Sequence, residues 1–143
     1  MTSFDQIEDL ALITIDDYAL NVLYNQDIDK FKNVCDGYLI SAVGNFTRCR
    51  TSLSYDITNR TFDSDLSDLE ISILADLWQI EWMERKTQDS KQFQLKLKSG
   101  NSFTFNSESQ NLKEKSTHLD KMREKVEQKI TQYQLQDLDS VTL

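Results

Sequence analysis

The chain contains no proline, and this absence constrains its fold more than any other feature of the sequence. Average usage near 5% would place about seven prolines in a chain of this length. Glycine, the next strongest helix breaker, occurs only three times. Because both residues destabilise helix interiors, the composition favours long uninterrupted helices. We therefore expect a mainly α protein, a four-helix bundle-like domain with a long C-terminal helix and a small β-hairpin inserted before it.

Hydrophobic periodicity and capping signals predict the first two helices. Ser3-Phe-Asp-Gln6 matches a capping box, and an apolar stripe follows from Ile7 to Val22 at helical spacing. We expect one helix here, ending near residue 25. Asp27 or Asp29 can cap a second helix, whose apolar stripe runs from residue 31 to residue 46.

The third helix has the widest apolar face. Residues 51–63 alternate as in an extended segment, and Ser67-Asp-Leu-Glu70 then forms a second capping box. The apolar positions from Leu66 to Trp82 predict the central helix of a bundle, contacted from two sides. Trp78 and Trp82 have the spacing of a ligand platform, but core packing is the favoured interpretation.

A period of two predicts a β-hairpin over about residues 92–106. Phe93, Leu95 and Leu97 alternate with polar residues, Ser99-Gly-Asn-Ser102 has turn chemistry, and the alternation then resumes. An isolated hairpin is marginal in water, so its aromatic row requires cover from a helix or from other subunits.

A long amphipathic helix follows to about Tyr133, and packing against the bundle is favoured over a free coiled coil. It opens with a third candidate capping box at Ser107–Gln110. Its lysines at 121, 125 and 129 form a basic edge. We expect one helical domain over residues 1–135 and a flexible C-terminal tail over 136–143, whose last residues have the character of a strand that adds to a partner's sheet.

The net charge of −8 is unevenly distributed along the chain. Residues 1–84 hold sixteen acids and five bases, and residues 85–143 hold eight acids and eleven bases. Two interpretations are open: solvated helix faces, or copies that pack head to tail with the acidic face of one against the basic face of the next.

A stripe of small residues on the second helix predicts a close approach by another element, either from the same chain or from a neighbour. Glycine inside a helix costs up to about 1 kcal/mol relative to alanine, so two on one face need a packing reason. The predicted subunit interface combines this stripe with the hairpin aromatics and the basic edge. These residues are Gly37, Ser41, Gly44, Phe93, Phe103, Phe105, Lys121, Lys125 and Lys129.

No motif for catalysis, metal or cofactor binding is present in the sequence. The scattered glycines exclude phosphate-cradling loops, and the acidic residues near Asp63 fail the glycine and glutamate positions of a calcium loop. Cys35 and Cys49 are expected to be reduced residues in or near the core, and His118 a solvated helix residue. We expect a protein that is not an enzyme, has no cofactor and has no membrane-spanning segment.

Three stretches of the chain resemble the small helical head–tail adaptor (connector) proteins of tailed bacteriophages. The first joins Thr58-Asn-Arg-Thr-Phe62 to Asp65-Leu-Ser-Asp-Leu-Glu-Ile-Ser-Ile-Leu-Ala75 and Glu81-Trp82. The second is Phe103-Thr-Phe-Asn-Ser-Glu-Ser-Gln-Asn-Leu112, and the third is the charged last helix ending in Gln132-Tyr133. Together they cover about half the chain, and they match the family in the order of the elements and in their general residue pattern. The hairpin departs from the simplest all-helical adaptor.

The resemblance implies a structural subunit of the phage neck, in the virion, assembled in the host cytoplasm. Such proteins form a ring, commonly a dodecamer, that connects the portal protein to the tail or a head-completion protein. The ring extends the channel through which DNA passes without specific binding. Portal docking by the C-terminal segment would fall to Leu138, Val141, Thr142 and Leu143.

The acidic first 84 residues motivate an alternative function. A DNA mimic or anti-host factor, acting as a monomer or dimer, would place such carboxylates in a basic cleft of a host protein. Self-association together with portal binding would favour the first hypothesis over this one.

Overall fold

The computed structural model describes residues 1–97 and 102–141, and the side chains of residues 1–89, 91 and 110–136. The chain is mainly helical, as predicted, with a small two-stranded antiparallel hairpin ahead of a long C-terminal helix. The described elements are α1 (Phe4–Leu12), α2 (Tyr18–Gln26), α3 (Ile28–Asn45), β1 (Tyr55–Asp56), β2 (Thr61–Phe62), α4 (Asp68–Leu97) and α5 (Ser102–Val141).

Helix α4 is the central element, as its wide apolar face predicts. It packs against α1, α3 and α5, and it contributes Ile73, Leu74 and Trp78 to the core without exposed surface. The Trp78 indole is a core group, and its Nε1 donates a 2.9 Å hydrogen bond to the carbonyl of Cys35. No helix in residues 1–97 or 102–141 is long and apolar enough to span a membrane.

Two predicted capping boxes are confirmed. The Ser3 Oγ accepts the Gln6 amide while the Gln6 side chain accepts the Ser3 amide, which starts α1. Ser67 and Glu70 make the same reciprocal pair at the start of α4. Asp27 caps α3, where its Oδ1 accepts the amide of Lys30 at 3.1 Å.

The single first helix predicted from the Ile7–Val22 stripe is wrong, because the chain breaks after Leu12 and restarts at Tyr18. Asp17 causes the restart, since its side chain caps the new helix. The third capping-box candidate, at residues 107–110, lies inside α5 and starts no helix.

The hairpin predicted at 92–106 is also wrong: residues 92–97 continue α4 and residues 102–106 belong to α5. Residues 93 and 97 are one helical turn apart, so the same positions also fit a helix that runs beside α5. The observed hairpin lies instead in the segment that alternates over residues 51–63, where Tyr55 pairs with Phe62 and Asp56 with Thr61.

The predicted flexible tail is helical up to residue 141, because α5 continues through it. Residues 142 and 143 lie outside the described residues. The last described buried side chain of α5 is Tyr133, so the helix extends eight residues, about 12 Å, beyond it.

Candidate interaction surfaces

A cleft of about 640 Å³ lies between α2, α3 and α4, and Gly37 and Ser41 line it. Gly44, the third member of the small-residue stripe, is exposed outside this cleft. At Gly37 and Gly44, no atom from another part of the described chain lies within 4 Å of where a Cβ would stand. The prediction that another element of the same chain approaches the stripe closely is therefore wrong for the described residues. A close approach by a neighbouring molecule stays a prediction.

Asp17 shapes this cleft by joining α2 to α4. Its Oδ1 accepts the amides of Ala19 at 2.9 Å and Leu20 at 3.4 Å. Its Oδ2 accepts Trp82 Nε1 at 2.7 Å and contacts Lys86 Nζ at 2.9 Å. Burial opposes ionisation of this carboxyl, but the bonds from Trp82 and Lys86 outweigh it and lower the pKa of Asp17. The wall of the cleft is thus fixed by one ionised side chain.

A second cleft, of about 280 Å³, lies where the end of α1, α2 and the start of α3 meet. Leu12, Ile15 and Phe31 are among its apolar lining residues, and the acidic lining residues are Asp9 and Asp17, of which Asp17 is paired with Lys86. The rings of Tyr24 and Phe31 meet edge to face with 5.2 Å between their centroids. Asp16 lies between two of the lining residues in the sequence, and its carboxylate is exposed. We refer to the cleft together with Asp16 as the acidic cleft.

The surface carried by the same elements includes several exposed large apolar side chains. Ile13 and Tyr18 are 75% and 83% exposed, and neither contributes to the core. Further exposed large side chains on these elements are Leu10, Tyr24 and Ile28. Contiguous exposed apolar surface marks sites that bind other proteins.

Lys121 and Lys125, which we call the α5 lysine pair, line a third cleft of about 470 Å³ with Thr14, Gln79 and Met122 among the other residues. Both lysines are exposed, and neither makes an ion pair in the part of the chain that the structure describes. The pair stands one helical turn apart, with Cβ atoms about 6 Å from each other.

Lys129, the third residue of the predicted basic edge, has a different environment. Its Nζ lies 2.5 Å from Asp76 Oδ2 and 2.8 Å from Ser72 Oγ, so it joins α5 to α4 within the chain. Lys129 thus has an intramolecular role, and its place in a subunit interface stays a prediction.

The linker between α1 and α2 separates the acidic cleft from the α5 lysine pair. Gln79 Nε2 holds it by donating to the carbonyl of Ala11 at 2.8 Å and to Thr14 Oγ1 at 2.9 Å. Thr14 lines the cleft of the lysine pair, whereas Ile15 lines the acidic cleft. Two surfaces of opposite charge thus share one short, anchored segment.

An ion cluster around Arg60, which the sequence did not reveal, ties the hairpin to α1 and α3. The guanidinium bonds to both carboxylate oxygens of Asp36 at 2.8 Å, to Asp5 at 2.8 Å and to Glu8 at 2.9 Å. Burial and then the neighbouring Asp36 raise the pKa of Glu8. Burial opposes ionisation of Asp36 as well, but the hydrogen bonds from Arg60, together with the neighbouring Glu8 carboxyl group, outweigh it and lower the pKa of Asp36.

A second unpredicted cluster holds the loop after α3 against α5. The buried Tyr133 hydroxyl donates to Glu70 Oε2 at 2.6 Å and accepts the Arg50 amide at 2.8 Å. The Arg50 guanidinium lies 4.0 Å from the centre of the Tyr133 ring. Burial raises the pKa of Glu70, whereas its hydrogen bonds, led by that from Tyr133, lower it. The net result is a pKa of about 2.

The remaining predicted interface and docking residues cannot be placed by their side chains. Phe93 lies on α4 and Phe103 and Phe105 lie on α5, with side chains outside the described set. The same holds for Leu138 and Val141 on α5, and Thr142 and Leu143 lie wholly outside the described residues.

The described surfaces offer binding groups rather than a catalytic constellation. His118 is exposed and lines the cleft of the α5 lysine pair, without a carboxylate or nucleophile bonded to it among the described side chains. Within residues whose side chains are described, no group of three or more histidine, cysteine, aspartate or glutamate residues is arranged to hold a metal ion. The absence of enzyme activity stays a prediction.

Neither a family model nor a curated protein nor a solved structure matches the chain at a significant level.

Proposed function

We propose that the chain is a structural subunit of a bacteriophage neck, which forms a ring that connects the portal to the tail and extends the DNA exit channel. The resemblance of Thr58–Phe62 and the following helix to head–tail adaptors suggests this function. The observation that carries it is the presence, on one molecule, of an acidic cleft and an unpaired lysine pair. Two unlike, complementary surfaces are what a ring of identical copies requires.

The internal clusters support this role because they make the surfaces rigid with respect to one another. Arg60 joins the hairpin to α1 and α3, and Tyr133 joins α5 to α4 and to the loop after α3. A ring closes only when each copy repeats the same rotation, so a subunit with fixed surface geometry suits it. Exposed carboxylates on a channel wall would repel DNA phosphates and leave the duplex free to move.

The C-terminal end of α5 is the proposed portal-docking segment. It extends beyond Tyr133, the last described residue that is buried against the bundle. The apolar groups of this segment come from Leu138, Val141, Thr142 and Leu143. No residue of the described core lies in the segment, so its removal leaves that core untouched.

The test is to mix the full chain with a portal ring from a tailed phage that carries this gene and to measure mass by light scattering and particle shape by electron microscopy. We expect a ring of subunits on the portal. A chain truncated before residue 136 should keep its helical circular dichroism and lose portal binding, while a substitution at exposed Tyr18 serves as the control. Normal docking of the truncated chain contradicts the docking assignment.

The acidic cleft also favours a second candidate function, a monomeric or dimeric acidic inhibitor that occupies a basic site on a host protein. The lining carboxylate of Asp9, the exposed Asp16 of the α1–α2 linker and the apolar lining of the cleft suit such a partner. A chain that remains monomeric, is missing from purified virions and binds a host nuclease or polymerase would establish this function and refute the ring.

A further inference from the structure

We propose that the occupant of the acidic cleft is the α5 lysine pair of a second copy of this chain. This inference rests on the proposed ring, because it names the contact through which neighbouring copies would meet. Asp9 and Asp16 would face Lys121 and Lys125 of the next molecule. The contact is heterologous, since each copy uses one surface as donor and the other as acceptor.

Charge complementarity supports this occupant. Asp9 and Asp16 are exposed carboxylates without an ion pair in the described part of the chain, and the same is true of Lys121 and Lys125. Several other cations on the surface are committed within the molecule, namely Lys129 to Asp76, Arg123 to Glu84, and Arg48 to Glu127. The lysine pair and the acidic cleft therefore keep their charge available for a partner.

The size and lining of the cleft also suit lysine side chains. At about 280 Å³ the cleft has room for individual side chains of a protein partner. Lysine methylenes pack on apolar surface while the ammonium group reaches polar neighbours. The edge-to-face pair of Tyr24 and Phe31 supplies apolar and aromatic surface, and Asp9 supplies the anion.

A contact between the two surfaces of a single molecule does not occur in this structure. The α1–α2 linker stands between them, with Ile15 on the side of the acidic cleft and Thr14 on the side of the lysine pair. Gln79 anchors that linker through two hydrogen bonds. The lysine pair is thus presented to a second molecule rather than to its own cleft.

The experiment is a charge swap in the full-length chain at low salt, where surface electrostatics are least screened. One variant carries D9K and D16K, and the other carries K121E and K125E. Matched controls reverse two exposed charges elsewhere, D63K with D68K and K30E with K91E. Circular dichroism and urea unfolding establish that each variant folds, and sedimentation velocity measures association.

Each swapped variant alone should self-associate at least tenfold more weakly than the wild type, whereas the controls stay within about threefold. An equimolar mixture of the two swapped variants should form mixed oligomers again, because each reversed surface meets its reversed complement. Failure of the mixture to associate, or wild-type association by either swapped variant, overturns the inference, as does a wild-type chain that is monomeric at low salt.

The outcomes separate this inference from the proposed function. If both swapped variants form the same rings on the portal as the wild type does, the contact is refuted and the neck function stands. Charge-dependent association restored by mixing, in a protein that does not bind portal, would support the contact and refute the neck function. Association of the wild type only with an added basic host protein would replace the second copy by that partner.

Discussion

Arg60 bonds to Asp36 through two parallel hydrogen bonds of 2.8 Å, from Nε and from Nη2, although 24 positions separate the residues. Arg60 has a positive φ of 56°, which is uncommon for a residue other than glycine. This conformation, at the end of the hairpin turn, costs on the order of 1 kcal/mol. The charged bonds to α1 and α3 offset that cost and hold the turn in place.

Replacing Arg60 by alanine should lower the free energy of unfolding by about 3 kcal/mol, because Asp5 and Asp36 lose their cation and Glu8 loses a hydrogen-bond donor. R60G removes the same charge but relieves the backbone strain, so it should be about 1 kcal/mol more stable than R60A. Urea unfolding followed by tryptophan fluorescence measures both. R48A, which breaks an exposed pair with Glu127, is the control and should cost less than about 1 kcal/mol. Equal effects of R60A and R48A would contradict a structural role for the cluster.

Glu8 should make stability depend on pH in a direction unusual for a carboxyl group. Its Oε2 is buried and has no hydrogen-bond partner in the described part of the chain, and its pKa lies well above the ordinary 4.5. The folded protein therefore keeps a proton that the unfolded chain releases, so this contribution is complete below pH 4.5 and is lost as pH rises. E8Q should gain on the wild type as pH increases from 5 toward 8 in urea unfolding. D9N, on the same helix but exposed, should show no such gain, and a pH-independent difference for E8Q would refute the assignment.

Removing the Tyr133 hydroxyl should destabilise the contact between α5 and the loop after α3. Y133F removes one hydrogen bond to the Glu70 carboxylate and the hydroxyl that accepts the Arg50 amide, at a cost of about 2 kcal/mol. The pKa of Glu70 is about 2, so its contribution is present above 4.5 and is lost as pH falls toward 2. The deficit of Y133F should accordingly shrink between pH 5 and pH 2. Y18F, at an exposed tyrosine, is the control; a deficit constant over this range would show that Glu70 is not the group concerned.

Asp17 should be the carboxylate of the α1–α2 linker on which stability depends most. D17A removes a helix cap, the Trp82 bond and the Lys86 ion pair together, and should cost about 3 kcal/mol. D17N keeps the cap and should cost about half as much. D16A, one residue earlier and exposed, should change stability by less than about 0.5 kcal/mol. The measurement is again urea unfolding, and a small effect of D17A would contradict the role assigned to the linker.

Local signals in the sequence predicted local features of the fold. The reciprocal pairs at Ser3–Gln6 and Ser67–Glu70 are complete within four residues, so the sequence alone predicts where α1 and α4 begin. The stripe from Phe31 to Phe46 likewise predicted α3 and its buried face. Such features depend on neighbours along the chain, which a reader of the sequence sees directly.

The errors arose where distant residues decide the structure. The apolar spacing across residues 7–22 fits a continuous helix, but Trp82 and Lys86 stabilise Asp17 as a cap and favour a break. The alternation over 92–97 fits a strand, but that segment continues α4, and α5 runs against the same helix. Tertiary contacts outweigh short patterns of this kind.

The interaction surfaces were predicted only in part for the same reason. The lysines at 121 and 125 are visible as a charged helical edge, whereas the acidic cleft joins residues from α1, α2 and α3. The Arg60 cluster joins positions 5, 8, 36 and 60, and no spacing in the sequence signals such a set.

The bonds that Arg48 and Arg50 make with α5 bear on the order of events during synthesis. Arg50 meets Tyr133 across 83 residues, and Arg48 meets Glu127 across 79. Contacts so far apart in the chain slow folding, because a long loop must close before they form. While the ribosome is still making α5, the finished part of the chain lacks the helix against which its core and the loop after α3 pack. Emergence of α5, rather than completion of α4, is therefore the point in synthesis at which the core and the loop after α3 can close.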